Sequence, residues 1–498
     1  MLSQSLSLPP PLPLPRRISR AWIAETLARA EAEFRWCWRL VRVLKRPDDA
    51  GPDAGTDILR FQPRLVEAII ALEAARRAVR SELKRLKREG CRYDRRWLTN
   101  RRASLERFQQ ALSDTLAIGR AIGDGFAWFF YEKDRRLIGE HFKHHAQAEL
   151  PVSIGGLGER MLVHGLPGFE GRLVLYHGTT TFLRLGDVSF VDLPTRRVQA
   201  IAELKTRKVS DGEYRLMLHV IADATTFAPG SLEGSTEIIS FAASTEDLRD
   251  VMRERLEAQI ERMSRAVAGA RDGKPAKRLG QPSTFQFEAL ADSIRTATSG
   301  KLRLTRAGPG LLVGALRASS GRSFATDLRV RDGADRLMGD VIKQAMEIMD
   351  PERPDNALVV GSAGGGVKGL SASFAGLPPV WWPMDDAALE EVLFGKVLLV
   401  TLYNPVHLRR AMEARGLFAV EGQDVLVGTV DGRAVQLEAF SHFDRLIQSE
   451  FMSMDSVLDM IDATFAVARE KGLEGGVRMS IHAQVTTGDH AHEDDLGG

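Results

Sequence analysis

Between residues 186 and 205 the chain reads as a hairpin whose register follows from the residues themselves. Gly186-Asp187-Val188-Ser189-Phe190-Val191 forms one strand, and Val198 to Ile201-Ala202-Glu203-Leu204-Lys205 the other. Asp192-Leu193-Pro194-Thr195-Arg196-Arg197 between them is turn material. Antiparallel partners keep a constant sum of residue numbers. Centring the turn on Thr195 sets that sum at 390, which puts Asp187 opposite Glu203. Side chains alternate along a strand, so Lys205 and Gln199 share the face of Glu203. Val188, Phe190, Val198, Ala200, Ala202 and Leu204 fall on the opposite face, which is a core face.

Two carboxylates and a lysine on one face, backed by apolar residues, outline a metal and phosphate site. Mg2+ takes oxygen ligands, usually one or two carboxylates together with substrate phosphate. There it acidifies a bound water and neutralises charge on the scissile phosphate. A nearby lysine orients that water or stabilises the developing negative charge. At these residues the sequence resembles the PD-(D/E)xK nuclease superfamily, over roughly residues 150–210. Gly186-Asp187 stands where that family has Pro-Asp, and Glu203-Leu204-Lys205 matches its Glu-x-Lys motif. Glu159, within Ile154 to Val163, looks like its helical glutamate, and Arg172 to Tyr176 like its first core strand.

The resemblance implies an α/β (α+β) fold with a restriction-endonuclease-like mixed sheet flanked by helices. It implies metal-dependent hydrolysis of phosphodiester bonds by Asp187, Glu203 and Lys205. Mg2+ or Mn2+ would be held by Asp187, Glu203 and the Leu204 carbonyl, with Glu159 as a weaker ligand. Gln199 is a candidate for positioning water or phosphate. DNA ranks ahead of RNA as the substrate, and restriction, repair and anti-phage defence are the settings in which bacterial members of that superfamily serve.

The tripeptide alone has little meaning, since Glu82-Leu83-Lys84 and Asp272-Gly273-Lys274 also fit it. The first lies in a charge-rich helical run and the second in a Gly- and Pro-containing loop. Only the 203–205 copy follows strand alternation and has an aspartate in register.

A chain of 498 residues with 44% hydrophobic and 27% charged residues fits a globular protein of two to four domains. The net charge is only +2, so its distribution says more than its total. Residues 76–102 carry twelve cations, among them Arg76, Arg77, Arg80, Lys84, Arg88, Arg95 and Arg96, against Glu82, Glu89 and Asp94. Such a face can hold a nucleic-acid backbone without reading sequence; an exposed helical face is the alternative. The two cysteines, Cys37 and Cys91, have no metal-ligand spacing and point to a reducing, cytoplasmic setting. No apolar run reaches the ~18 residues of a membrane span.

Along the chain, 1–17 is a proline-rich disordered lead-in, 18–145 a helical bundle, and 146–361 the nuclease-like α/β region with an insertion. Residues 362–480 form a C-terminal α/β region, and 481–498 a disordered tail with His482, His490 and His492. The run Phe126 to Tyr131 is expected in the core of the helical bundle. Helices are expected over 58–88, 104–144, 244–270, 285–298, 334–349 and 443–471, and strands over 214–221, 310–316, 356–361 and 392–403. Either the 244–270 helix or the 334–361 helix-strand pair continues the core after Glu203-Leu204-Lys205. A further hairpin, 424–430 with 434–439, turns at Asp431-Gly432. Gly361 to Gly366 lacks the pattern of a nucleotide-binding loop and reads as a turn. Two other readings stand beside the nuclease: an assembly protein with a degenerate nuclease-like fold, joined to a partner or to a second copy through the N-terminal helices, and a nucleic-acid binder without chemistry.

Overall fold

The computed structural model describes residues 17–46, 54–142, 154–166, 168–169, 171–210, 213–222, 250–272, 283–319, 323, 345, 359–363, 379–420, 422–430, 432–438 and 440–470. The lead-in 1–16, the expected 334–349 helix apart from Ala345, Gly364 to Gly366, and the tail histidines lie outside them. The chain divides into two compact units, Met1–Pro275 and Ala276–Gly498. That division falls within 146–361, and the N-terminal helices share a unit with the first sheet.

The first unit begins with three long helices, α1 Arg20–Lys45, α2 Ala54–Glu89 and α3 Arg95–Tyr131. Ser19 caps α1 by accepting from the Trp22 amide at 3.2 Å, and Asp94 caps α3 by accepting from the Trp97 amide at 2.8 Å. Ile23, Leu27, Ala30 and Phe34 recur at helical spacing and are buried. Phe61 of α2 stacks on Phe126 of α3 at 3.9 Å, and Phe130 meets Phe126 edge-on at 5.1 Å. Phe126, Ala127, Phe130 and Tyr131 are therefore core, as their run of apolar residues suggests.

Five strands follow in sequence order: β1 Gly168–Phe169, β2 Arg172–Tyr176, β3 Val188–Asp192, β4 Arg197–Ser210 and β5 Glu213–Ala222. The mixed sheet expected here is instead antiparallel at every pairing. Ser210 pairs with Glu213, so β5 folds straight back along β4; a parallel neighbour needs a crossover of a dozen or more residues. Val188, Ser189 and Phe190 pair with Ala202, Ile201 and Ala200, the register with constant sum 390. Between Phe190 and Val191 the ladder shifts by one, so Val191 meets Val198 and Asp192 meets Arg197. The extra residue of this bulge is Gln199.

Three shorter helices border the sheet: α4 Arg135–Phe142, α5 Ile154–Gly165 and α6 Asp250–Asp272. Helix α5 presses on β4 so closely that a Cβ at Gly158 would overlap the Thr206 side chain. Glu67 of α2 holds α5 from behind, accepting from Arg160 Nε at 2.5 Å and lying 2.9 Å from His164 Nε2. Burial alone would raise the Glu67 pKa, but hydrogen bonds from His164 and Arg160 hold it below the usual range. Of the two candidates for the later helix, α6 is the one that joins this unit. Val359–Ala363 belongs to the sheet of the second unit.

Gln62 of α2 ties the helices to the sheet. β1 pairs only with Arg172 and Leu173, which leaves the rest of β2 an open edge on that side. The Gln62 amide fills that edge as a strand would. Its Nε2 donates to Val174 O and its Oε1 accepts from the Tyr176 amide, both at 2.6 Å in a buried setting.

In the second unit, helix α7 Phe287–Arg295 precedes a four-stranded antiparallel sheet ordered 303–308, 311–317, 397–403, 359–363. Arg317 clamps it to the helix Asp386–Leu393 through Glu391, at 2.5 and 2.8 Å. Residues 392–396 are the end of that helix and a turn, so the strand expected over 392–403 begins only at Val397. A three-stranded sheet, 417–419, 425–430 and 433–438, contains the expected hairpin, with Gly432 at φ 76°. The single helix expected over 443–471 is two, Ser441–Glu450 and Met454–Glu470. They break at Phe451, which adopts φ 58° with its ring 5.4 Å from Trp382 and 6.1 Å from Phe287.

Two predictions follow from these contacts. Gln62→Ala leaves a buried carbonyl and a buried amide without partners, and should lower unfolding free energy by about 2–4 kcal/mol in urea denaturation. Asp124 of α3 is buried and accepts from the Thr181 amide at 2.6 Å and its hydroxyl at 2.7 Å. Burial pushes its pKa up to about 6. The folded state therefore favours the protonated acid, so stability that is complete below about pH 4 is lost as pH rises to about 6, by about 3 kcal/mol. Asp124→Asn keeps an acceptor for the amide and should flatten stability over that window, read by urea denaturation at successive pH values.

Candidate active site

The site is built just before β3 begins, where β4 runs on past it. Beyond Val188 the inner strand stops, leaving β4 main-chain groups with no strand partner on that side. Asp187 serves them: its amide donates to Ala202 O at 2.8 Å, and its Oδ2 accepts from the Leu204 amide at 2.7 Å. Asp187 thus precedes the strand instead of opening it. Continuing the register by one step still sets it beside Glu203. Main-chain groups of one residue point to the same side of a strand, so the Leu204 carbonyl lies on the Asp187 side with its amide.

Gly186 makes this corner possible. It holds φ 72°, and an added Cβ would meet Ala202 O at 2.8 Å. Proline, fixed near φ −65°, cannot take that conformation, which accounts for glycine where the resembled family has proline.

Glu203 is buried, and its Oε1 lies 2.7 Å from Lys205 Nζ. Lys205 also donates to Gln259 Oε1 of α6 at 3.1 Å. Glu159 projects from α5 and accepts from the Tyr176 hydroxyl at the end of β2. Burial raises the Asp187 pKa well above the carboxylate range, and the charges of Glu203 and Glu159 raise it further. Burial, then Glu203, pushes Glu159 up to about 7, partly offset by the Tyr176 hydrogen bond. Sequence-expected Asp187, Glu203, Lys205 and Glu159 are therefore brought together, and each acts on the others.

Gln199 is not. Four residues of strand place it about 13 Å from Glu203, and its Oε1 accepts from Arg172 Nε. The bulge that releases it from the ladder has no signature in the alternation of the strand. Tyr176, Gln259 and His219 join the site without having been singled out by motif. His219 faces Glu203 across β4 and β5, and its Nε2 is buried with no hydrogen-bond partner among the described residues. Burial, then Lys205, lowers its pKa, so the ring is neutral.

Behind the corner lies a buried hydrogen-bond chain whose proton directions are all determined. His141 Nδ1 accepts from the amides of Arg184 and Leu185 at 3.1 and 3.0 Å, so its proton is on Nε2. Nε2 donates to the Tyr131 hydroxyl at 3.2 Å, which donates to Ser189 Oγ at 2.5 Å. Ser189 donates to His177 Nε2 at 2.7 Å, and His177 Nδ1 donates to Gly186 O at 3.0 Å. Burial lowers the His177 pKa to about 4, keeping the ring neutral as this order requires. Ser189 is fully buried, so this Ser–His pair positions the corner and does not present a nucleophile.

Among the described residues, no three His, Cys, Asp or Glu side chains are grouped to hold a metal ion. The donors on offer are instead two carboxylates and a main-chain carbonyl, an oxygen set that suits Mg2+ with its retained waters. Burial and the neighbouring carboxylates make charging Asp187 and Glu159 costly, which a divalent ion would relieve. The residues fit the group.

The basic residues lie apart, on α2 and the start of α3. Arg77 lies 3.7 Å from Glu73, and Arg80, Lys84, Arg88, Arg95 and Arg96 are exposed. Arg76 is half-buried. In the second unit, Arg306, Gly308, Gly310 and His407 line a concavity of about 460 Å³ that has no carboxylate. Among the described residues, no helix is long and apolar enough to cross a membrane.

The chain matches no protein-family model, and comparison with curated proteins and with solved structures finds none similar to it. Its own geometry carries the functional reading.

Ser189→Ala removes the middle of the buried chain and strands the Tyr131 hydroxyl and His177 Nε2. It should lower stability by about 1–3 kcal/mol by denaturant titration. Tyr131→Phe, which also removes a hydroxyl from the chain, should show a similar loss. Ser189→Ala and Tyr131→Phe combined should cost less than the sum of the two.

Proposed function

We propose that this protein is a metal-dependent nuclease that hydrolyses phosphodiester bonds, with DNA ahead of RNA as substrate. One observation carries the reading: the Asp187 carboxylate is locked onto the Leu204 amide, beside a buried Glu203 whose partner is Lys205. An ion pair made only for stability has no need of a second and third carboxylate crowded into a buried corner, where each raises the cost of charging the others.

Asp187, Glu203 and the Leu204 carbonyl would hold Mg2+ or Mn2+, with Glu159 nearby as a further acid. The ion supplies an acidified water and neutralises phosphate charge. The protein's own groups supply the rest. Gln259 and Glu203 hold the Lys205 ammonium in place, where it can orient the attacking water and stabilise charge developing on phosphorus oxygens. The Leu204 amide fixes one Asp187 oxygen, and the other would be the one to bind the ion. Tyr176 holds Glu159 on the same side.

The test is cleavage of labelled single- and double-stranded DNA and RNA, with and without Mg2+ or Mn2+, by wild type, Asp187→Ala and Lys205→Ala. Cleavage should require the metal and fall by at least about 100-fold in both variants, the loss typical of removing a group that stabilises transition-state charge. Cleavage that survives both substitutions, or a folded wild type that neither cleaves nor shows metal binding lost in Asp187→Ala, refutes the reading.

A further inference from the structure

We propose that the tip where α2 turns into α3 is a binding platform for an unpaired nucleic-acid strand, with Trp97 as its stacking surface. The proposal shares the class of ligand with the nuclease reading and does not depend on cleavage.

Among the described residues, the charge at the tip is uncompensated. Its three acids are all committed internally. Glu82 and Glu89 both bind Arg85, at 2.9 and 3.0 Å, and Glu82 also lies 3.7 Å from Arg101. Asp94 is spent on capping α3. Arg80, Lys84, Lys87 and Arg88 then form one exposed stripe of α2, at the i, i+4, i+7, i+8 spacing of a single helix face. Arg92 adds to it in the turn.

Helix α3 continues the same field. Its first turn holds no acid and carries exposed Arg95 and Arg96. Cations there oppose the helix dipole, which favours anions at an N-terminus. That arrangement is unfavourable for the free helix and suits a phosphate backbone brought to it.

An aromatic surface sits within the basic field. Trp97 is 40% exposed, a large fraction for so large an apolar ring. It stacks on Tyr93 at 4.9 Å with the planes 27° apart. The Tyr93 hydroxyl accepts from Arg85 at 2.9 Å, and the Trp97 amide is tied to Asp94, so the platform is held before any ligand arrives. Stacking on an aromatic face needs a base outside a duplex, whereas cations alone would serve either form. A protein partner of acidic character would use the cations and leave Trp97 without a role.

The tip is separate from the sheet site. Trp97 and Asp124, which contacts the loop between β2 and β3, are 27 positions apart on continuous α3. That is about 40 Å along the helix at 1.5 Å per residue.

The experiment is fluorescence anisotropy in EDTA, so that no cleavage enters. The probes are a labelled DNA strand of about 20 nucleotides, the matching RNA strand, and the DNA duplex, each at several salt concentrations. Wild type should bind the strands, and Trp97→Ala should weaken strand binding about tenfold while duplex binding stays within about twofold. Replacing Arg88, Arg92 and Arg95 with alanine should weaken all probes and reduce the salt slope by about 2 for single strands. Arg303→Ala in the second unit should change nothing. The tighter of the two strands identifies DNA or RNA as the source. Trp97→Ala binding like wild type, an equal loss on strand and duplex, or no strand binding at low salt overturns the proposal. All these substitutions are at exposed positions, and circular dichroism verifies the fold. Binding is read without metal and cleavage with it, so a failure of strand binding counts against this proposal alone and a failure of metal-dependent cleavage against the nuclease reading alone.

Discussion

The hydrogen bond from the Leu204 amide to the Asp187 carboxylate is the contact on which the candidate site depends. It exists because β3 starts at Val188, two residues short of pairing with β4 at the level of Leu204. An unpaired main-chain amide in a part-buried setting needs an acceptor, and the side chain of the residue just before the strand provides it. The same bond aims a carboxylate at Glu203. A structural need of the sheet and a chemical arrangement of acids are thus met by one side chain.

The surrounding structure serves to hold that corner rigid. Gly186 supplies a backbone conformation that other residues rarely adopt, and His177 fixes its carbonyl. Behind His177 a line of hydroxyl and imidazole groups runs to His141 on α4, each with its proton assigned by the next. Buried polar chains of this kind are costly unless complete. Here every member has a donor and an acceptor, so the chain connects α3 and α4 to the site as a stiff element. Gln62 does similar work on the open edge of β2, standing in for a strand that β1 is too short to supply.

Charge is divided between two places in the first unit. The sheet site concentrates acids in a poorly solvated corner, and the α2–α3 tip concentrates exposed cations around a stacked aromatic pair. A net charge of +2 for the whole chain hides both. The near balance comes from summing regions of opposite sign, which is why total charge is a poor guide to what such a protein binds.

Much of the site was legible in the sequence, because the period of a strand is two. That alternation fixes which residues share a face, and a constant register sum then sets Asp187 beside Glu203 with no further information. Helical spacing likewise identified α1 and the core run at Phe126 to Tyr131. The bulge at Gln199 was hidden, since an inserted residue leaves the pattern of apolar residues on either side intact. Gln259, Gln62 and Tyr176 were hidden because their partners lie 54, 112 and 17 residues away along the chain, and no local pattern encodes such contacts. The all-antiparallel sheet depended on β5 folding straight back along β4, and the break at Phe451 on an aromatic cluster that favours a left-handed residue. Local periodicity determined the strands, helices and register of this protein. Only tertiary packing decided which distant side chains complete them, because burial and unpaired main-chain groups arise when separate elements meet.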